Sequence, residues 1–244
     1  MNRISKYILK IISILLLWSN AFFIVAGEND ESKRTFYGFS VDFDLADPFL
    51  SALNPNRFGV NASVQADLLR TVFPVIEVGY ATYEGASYYS YLTPEMIEQP
   101  PNYRYHVNGT YYKIGVDFNL LSSKDHTKNA IPIGFLGIRY GISPFNYKIE
   151  NLMVKDFYWN DETYLNAKGS TIGQWAEFVA GVRTPIYKNF CLGVSARFRQ
   201  FLYIKEKREG DKVVRSSFAP GFGEKENDTW GFRYTISYFF PFTK

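Results

Sequence analysis

The chain has 244 residues, room for one all-β unit with a sizeable core, and is 46% hydrophobic and 18% aromatic. Its net charge of +3 is accounted for at the N-terminus: taking Arg3, Lys6 and Lys10 from the 27 bases leaves as many bases as acids. A neutral remainder has no electrostatic footprint for a phosphate backbone, which argues against nucleic acid as a partner. One cysteine, Cys191, forbids an intrachain disulfide and reads as a buried small residue.

Met1 to Lys10 form a positive segment, followed by an apolar run from Ile11 to Trp18 and two small-residue stretches, Ser19-Asn20-Ala21 and Val25-Ala26-Gly27. This is the layout of a secretory signal peptide. Ile8 to Ala26 is almost long enough to cross a bilayer, but Ser13, Ser19 and Asn20 weaken such a helix. The expected division is a signal peptide over 1–27, cleaved near 21 or 26–27, a short periplasmic segment over 28–35, and a barrel over 36–244.

Beyond residue 35 the pattern has period two, the mark of half-faced strands. Tyr37, Phe39, Val41, Phe43 and Leu45 oppose Gly38, Ser40, Asp42 and Asp44. Phe58, Val60, Ala62, Val64, Ala66 and Leu68 oppose Gly59, Asn61, Ser63, Gln65 and Asp67. Ile76, Val78 and Tyr80 oppose Glu77, Gly79 and Ala81, and Tyr112, Ile114, Val116, Phe118 and Leu120 oppose Tyr111, Lys113, Gly115, Asp117 and Asn119. Leu136, Ile138, Tyr140 and Ile142 oppose Gly137, Arg139 and Gly141, and Ala176, Phe178, Ala180 and Val182 oppose Glu177, Gly181 and Arg183. Leu192, Val194, Ala196 and Phe198 oppose Cys191, Gly193, Ser195, Arg197 and Arg199. Last, Trp230, Phe232, Tyr234, Ile236, Tyr238 and Phe240 oppose Gly231, Arg233, Thr235 and Ser237.

The connections alternate. Arg70 to Pro74 and Thr184 to Asn189 are tight and Ser122 to Ala130 is modest, whereas Glu84 to His106, Ser143 to Gln174 and Lys205 to Thr229 are long, with Asp47 to Asn56 between. Eight strands then put long loops at one end, short turns and both termini at the other. The expected fold is all-β: an eight-stranded antiparallel up-and-down transmembrane β-barrel.

Volume chooses the inner face. An eight-stranded barrel is just wide enough for side chains to fill, so rings such as Phe39, Phe58, Phe118, Phe178, Phe198, Trp230 and Phe232 would overfill it, whereas glycines and short residues fit. The charges agree: Asp42, Asp44, Asp67, Glu77, Asp117 and Glu177 are matched one for one by Lys113, Arg139, Arg183, Arg197, Arg199 and Arg233, as buried charges must be. With the apolar face outward, Val116→Arg is costly, and a methyl at Gly115 perturbs only packing.

With these strands the chain resembles the small outer-membrane β-barrels of Gram-negative bacteria, the architecture of the OmpA transmembrane domain and OmpX. Tyr37-Gly38-Phe39-Ser40-Val41-Asp42 and the segment from Asp47-Pro48-Phe49 to Asn61 look like a family of exported barrels with no assigned function. The resemblance implies an outer-membrane address, membrane lipids as surroundings and the barrel-assembly machinery as a partner during insertion. Barrels of that kind usually end on an aromatic residue, whereas here Phe242 precedes Thr243 and Lys244.

Little chemistry stands out. His106 and His126 fall at opposite ends and cannot share a metal or a triad. Lipid A acyl-modifying barrels resemble this size class, and His106 with Ser87, Ser90 or Glu84 is the one conceivable set. Gly221-Phe222-Gly223 lacks the Lys-Ser/Thr of a phosphate loop. Asp42 and Asp44 share a face and read as ion-paired rather than metal-binding. No cofactor is expected. The tyrosine-rich loops, with Tyr88, Tyr89, Tyr91, Tyr103 and Tyr105 in one and Phe157, Tyr158, Trp159 and Tyr164 in another, offer a possible surface for an extracellular ligand. The expected function is structural or surface-binding, the alternatives being a lipid-modifying enzyme, a narrow pore or a soluble lipocalin-like binder.

Overall fold

The computed structural model describes residues 35–53, 56–87, 103–121, 130–155, 162–204, 207–209, 212–214, 218–224 and 229–242. Residues 1–34, with the expected leader and most of the periplasmic segment, lie outside them.

Period-two patterning becomes strand throughout. The elements are β1 (Phe36–Asp44), helix α1 (Ala46–Leu53), β2 (Arg57–Leu68), β3 (Val72–Ser87), β4 (Tyr103–Asn119), β5 (Ile133–Lys155), β6 (Glu162–Tyr187) and β7 (Phe190–Ile204). Two small hairpins follow, β8 (Lys207–Glu209) with β9 (Lys212–Val214) and β10 (Phe218–Ala219) with β11 (Gly223–Glu224), before β12 (Trp230–Pro241). Strands β1 to β7 and β12 form one closed antiparallel ring in which each pairs with its predecessor, and β12 returns to β1 from Gly38↔Pro241 to Asp44↔Thr235. The eight-stranded up-and-down barrel is therefore the fold.

Short turns gather at one end. Thr71 N donates to Leu68 O (3.1 Å), with Leu69 and Arg70 both at φ 57°, a type I′ turn suited to the twist of a hairpin. The strain of two non-glycine residues in that region is offset in part inside, where Arg70 Nη1 bonds Asp67 Oδ2 (2.8 Å) and the guanidinium lies 4.2 Å from the Tyr37 ring centre.

At the other end the expected loops are largely strand. β3 runs on to Ser87, β4 begins at Tyr103, and β5 and β6 are 23 and 26 residues long, so most of the stretch expected as loop over Ser143 to Gln174 is a tall hairpin. Its apolar residues had changed phase. Leu136, Ile138, Tyr140 and Ile142 are even-numbered, Phe145, Tyr147 and Ile149 odd, yet the β5–β6 register stays unbroken from Ile133 to Ile149. The strand does not end or slip at Ser143; the buried character changes sides.

That change runs around four strands. Low on the barrel the outward residues are apolar and exposed, as with Ile114, Phe178 (63%) and Phe232 (70%), while the inward ones are ions. Higher up, the outward rows read Thr82, Asn108, Asn146, Ser170 and then Glu84, His106, Lys148, Lys168, while Phe145, Tyr147, Val107 and Ile149 are buried inside. The lower barrel is inside-out and the upper hairpins are right side out.

β1 corrects one assignment. The register shifts between Phe36 and Gly38, a bulge that turns both Tyr37 and Gly38 inward. Tyr37 thus packs inside with Ala130, Cys191 and Phe239 instead of joining the outer face with Phe39. Gly38 is required there: a Cβ would lie 2.2 Å from Phe240 O, and φ is +152°.

β1 is also short. Above Asp44 no barrel strand lies between Arg57–Asn61 of β2 and Trp230–Tyr234 of β12, and α1, expected as plain loop, packs against both. Gly59 N donates to Ser51 Oγ (3.0 Å), and Asp47 lies over Gly59 and 3.7 Å from Arg57 Nη2.

Candidate functional site in the barrel interior

The inward face is built from large and small residues set opposite each other across neighbouring strands. Gly115 faces Arg139, Gly137 faces Asp117, and Gly141 sits beside Trp175. At each glycine a Cβ would meet the partner's side chain within 2.5 Å. These glycines make the room that long side chains fill.

The charges form a layer across the bore. Glu77 on β3, 1% exposed, is held by Arg197 (3.0 Å to each carboxylate oxygen), Arg233 (3.1 Å), Arg139 (3.2 Å) and, more loosely, Lys113 (3.9 Å). Glu177 on β6 accepts from Lys113 Nζ (2.7 Å), Arg197 Nη1 (3.0 Å) and the Trp175 indole N–H (2.7 Å). Asp117 takes Arg139 Nη2 (2.7 Å) and Gln65 Nε2 (2.8 Å), and Asp44 takes Arg233 Nε (2.7 Å). Nearer the short turns Asp42 accepts from Ser63 Oγ (3.2 Å) and faces Arg183 (3.5 Å). Arg199 donates to the Phe222 carbonyl. The twelve residues singled out by alternation all lie on the inward face. Arg70 is an added member that the sequence pattern missed because it sits in a turn; Asp67 three residues before it was the available signal. With it, six acids face seven bases.

Two apolar layers sandwich this one. Toward the short turns lie Tyr37, Phe73, Ile131, Ile133 and Phe239. Toward the hairpins lie Tyr111, Phe145, Tyr147 and Trp175 with Phe218, Ala219 and Phe222 of the β10–β11 hairpin. Phe218 stacks on Tyr83 (4.6 Å between ring centres), and Phe222 meets Phe201 (5.0 Å) and Trp175 (6.0 Å) edge-on. The segment expected as part of a long loop, Gly221-Phe222-Gly223 included, is therefore a stopper seated in the mouth. The inward face also carries many rings besides the expected Tyr111, where glycines, short residues and ions were expected to dominate. Apolar layers above and below lower the local polarity, which strengthens each ion pair and makes an unmatched charge costly.

The upper rim carries the one histidine contact described. His106 Nδ1 lies 2.9 Å from Glu84 Oε1, and Asn108 Nδ2 lies 3.0 Å from Nε2, an arrangement satisfied when Nδ1 carries the proton. Both histidine and glutamate face outward above the apolar band. Ser90, Tyr88, Tyr89, Tyr91, His126, Phe157, Tyr158 and Trp159 lie outside the described residues. Tyr103 and Tyr164 fall within β4 and β6, and Tyr105 packs inward against Tyr83 (5.7 Å) rather than standing free in a loop. Among the described residues no group of three or more His, Cys, Asp or Glu side chains is arranged to hold a metal.

A ring of eight meandering strands with ions paired across its bore defines this molecule as a small up-and-down β-barrel with a filled interior. The chain belongs to the family described as a domain of unknown function, DUF6048, whose model matches residues 4–244. No curated protein matches it.

Proposed function

We propose that the chain is exported through the signal over 1–27 and that its barrel spans the outer membrane of a Gram-negative bacterium, short turns toward the periplasm and hairpins outward. The carrying observation is the reversal of polarity along unbroken strands: apolar-out below, polar-out above. Water on both sides gives no reason for one strand to invert its faces midway; an acyl phase ending at Tyr80, Tyr112 and Ile142 does. The outer-facing tyrosines at that level suit a membrane interface.

Within that setting the barrel is a structural or surface-binding element that presents tall β-hairpins. The filled, ion-paired interior supports this over a diffusion pore, and the outward rings support it over a soluble lipocalin-like binder. Membrane fractionation followed by electrophoresis with and without boiling tests it. A compact heat-modifiable form in the outer-membrane fraction is expected; a processed chain recovered as a soluble monomer without detergent would overturn it.

The second reading, a lipid-modifying enzyme at His106, draws its support from the His106–Glu84 pair, a histidine held by a carboxylate. Its weakness is that Nε2, the nitrogen left to act as base, is engaged by Asn108. Unchanged lipid A acylation after His106→Ala ends that reading.

A further inference from the structure

The stretch of wall that β1 leaves open is backed by a cavity. Between α1 and the β10–β11 stopper lies a space of about 50 Å³ bounded by Asn61, Tyr111, Lys113, Arg197, Arg199 and Arg233, and reaching the barrel surface beside Phe58, Arg57 and Asp47. That is room for a few waters, or for one tetrahedral oxyanion, at roughly 10–15 Å³ per water in this measure.

The wall is cationic. Arg57, Lys113, Arg197, Arg199 and Arg233 bound the cavity against two carboxylates, Asp44 and Asp47. Two buried side chains there have polar atoms left over. Arg233, 5% exposed, uses Nε on Asp44 and Nη1 on Glu77, and its Nη2 has no hydrogen-bond partner. Asn61 donates Nδ2 to the Tyr111 hydroxyl (2.8 Å) while its Oδ1 accepts nothing. A buried guanidinium N–H wants an anionic acceptor, and the amide oxygen wants a hydroxyl. A hydrogen phosphate or a phosphate monoester supplies both kinds of group once the two side chains, whose free atoms are enclosed, turn toward the cavity. The window lies beside Phe58 and Phe232, exposed side chains near the upper limit of the apolar band, where headgroups of a surrounding leaflet would stand.

We propose that this cavity binds a phosphate-sized oxyanion, reached through the window that α1 covers. The oxyanion site stands on the cavity alone; its supply by a lipid headgroup rests on the membrane reading above.

The test is calorimetric titration of the full chain in a phosphate-free maltoside detergent at low chloride, with inorganic phosphate and with dihexanoyl phosphatidic acid as probes. Saturable binding of phosphate is expected, with at least a tenfold loss in Arg233→Gln. Because Arg233 also holds Asp44 and Glu77, Asn61→Asp is the second variant: it keeps the shape, adds a negative charge to the cavity, and should lose at least tenfold as well. Tighter binding of the phosphatidic acid, competed by phosphate, assigns the headgroup as source; equal or weaker binding assigns the free ion. In stopped-flow mixing with phosphate, Ser51→Ala, which releases α1 from Gly59, should speed association, and an unchanged rate overturns the window as the route. No saturable binding by heat-modifiable protein, or binding that Asn61→Asp leaves intact, overturns the site. Phosphate binding by a chain that proves soluble without detergent would end the membrane reading and leave the cavity standing.

Discussion

Glu77 is bound by cations from four other strands, and no other acid described here holds so many. Glu77→Gln leaves that positive charge short of one compensating carboxylate in a buried layer, and should cost about 3–5 kcal/mol, read as a lower urea midpoint for the barrel in bilayers. Glu150→Gln, at the exposed Lys148–Glu150 pair, should leave the midpoint unchanged; equal effects would mean the interior is wet. Gly115 has a different sensitivity. Sequence suggested that alanine there disturbs only packing, but the added carbon would lie 2.0 Å from the Ile138 carbonyl oxygen and 2.5 Å from Arg139 Cδ. A carbonyl in a ladder cannot yield as a flexible side chain can. Gly115→Ala should therefore cost about 1–3 kcal/mol, as overpacking does, in the same urea assay. Alternation identified which residues point inward, because side chains in a strand have a fixed period. It failed at Tyr37 and Arg70, where a bulge and a turn reset the phase.

The length of β5 and β6 decides where the apolar band stops. Val116→Arg, facing outward within the band, should cost roughly 2–4 kcal/mol if it lies near the membrane midplane. Asn146→Arg, outward in the row above the band, should cost almost nothing. Matched losses would show that no acyl phase ends between them. This boundary was present in the sequence: Phe145, Tyr147 and Ile149 alternate with Asn146, Lys148 and Glu150 as cleanly as any strand. The apolar parity flips there, and a flip usually signals a chain break or a bulge, so alternation alone points to a loop. The solvent outside the strand can change while the strand continues. By contrast α1 and the β10–β11 stopper lie outside the period-two pattern: an eight-residue helix and two-residue strands give it nothing to follow, and tertiary contacts with Gly59, Tyr83 and Trp175 set them.

Eight strands, their order and the ring they form followed from segment count and alternating connection length, since hairpin neighbours pair and an even number brings the ends together. The closed bore did not follow so readily, because its upper seal comes from the stopper. Deleting Phe218 through Gly223 should leave the Glu77–Arg197 layer bridging the strands, so the variant in planar bilayers should show no sustained conductance. A steady open current would mean that the stopper, and not the ions, closes the barrel.

The β1–β12 seam has a consequence for how the molecule is made. Its ladder, Phe39↔Phe240 and its neighbours, joins the two extremes of the described barrel, while most other strand pairs are simple hairpins. Hairpins need only neighbouring segments to meet; the seam must wait for the final strand, with the largest loss of chain entropy of any pairing in the ring. Until then the nascent sheet has two raw margins of unbonded amides, each able to capture a stranger. A polypeptide cut off before Trp230 would be no smaller cylinder but an open curl, in need of a chaperone to keep its margins apart from those of its siblings.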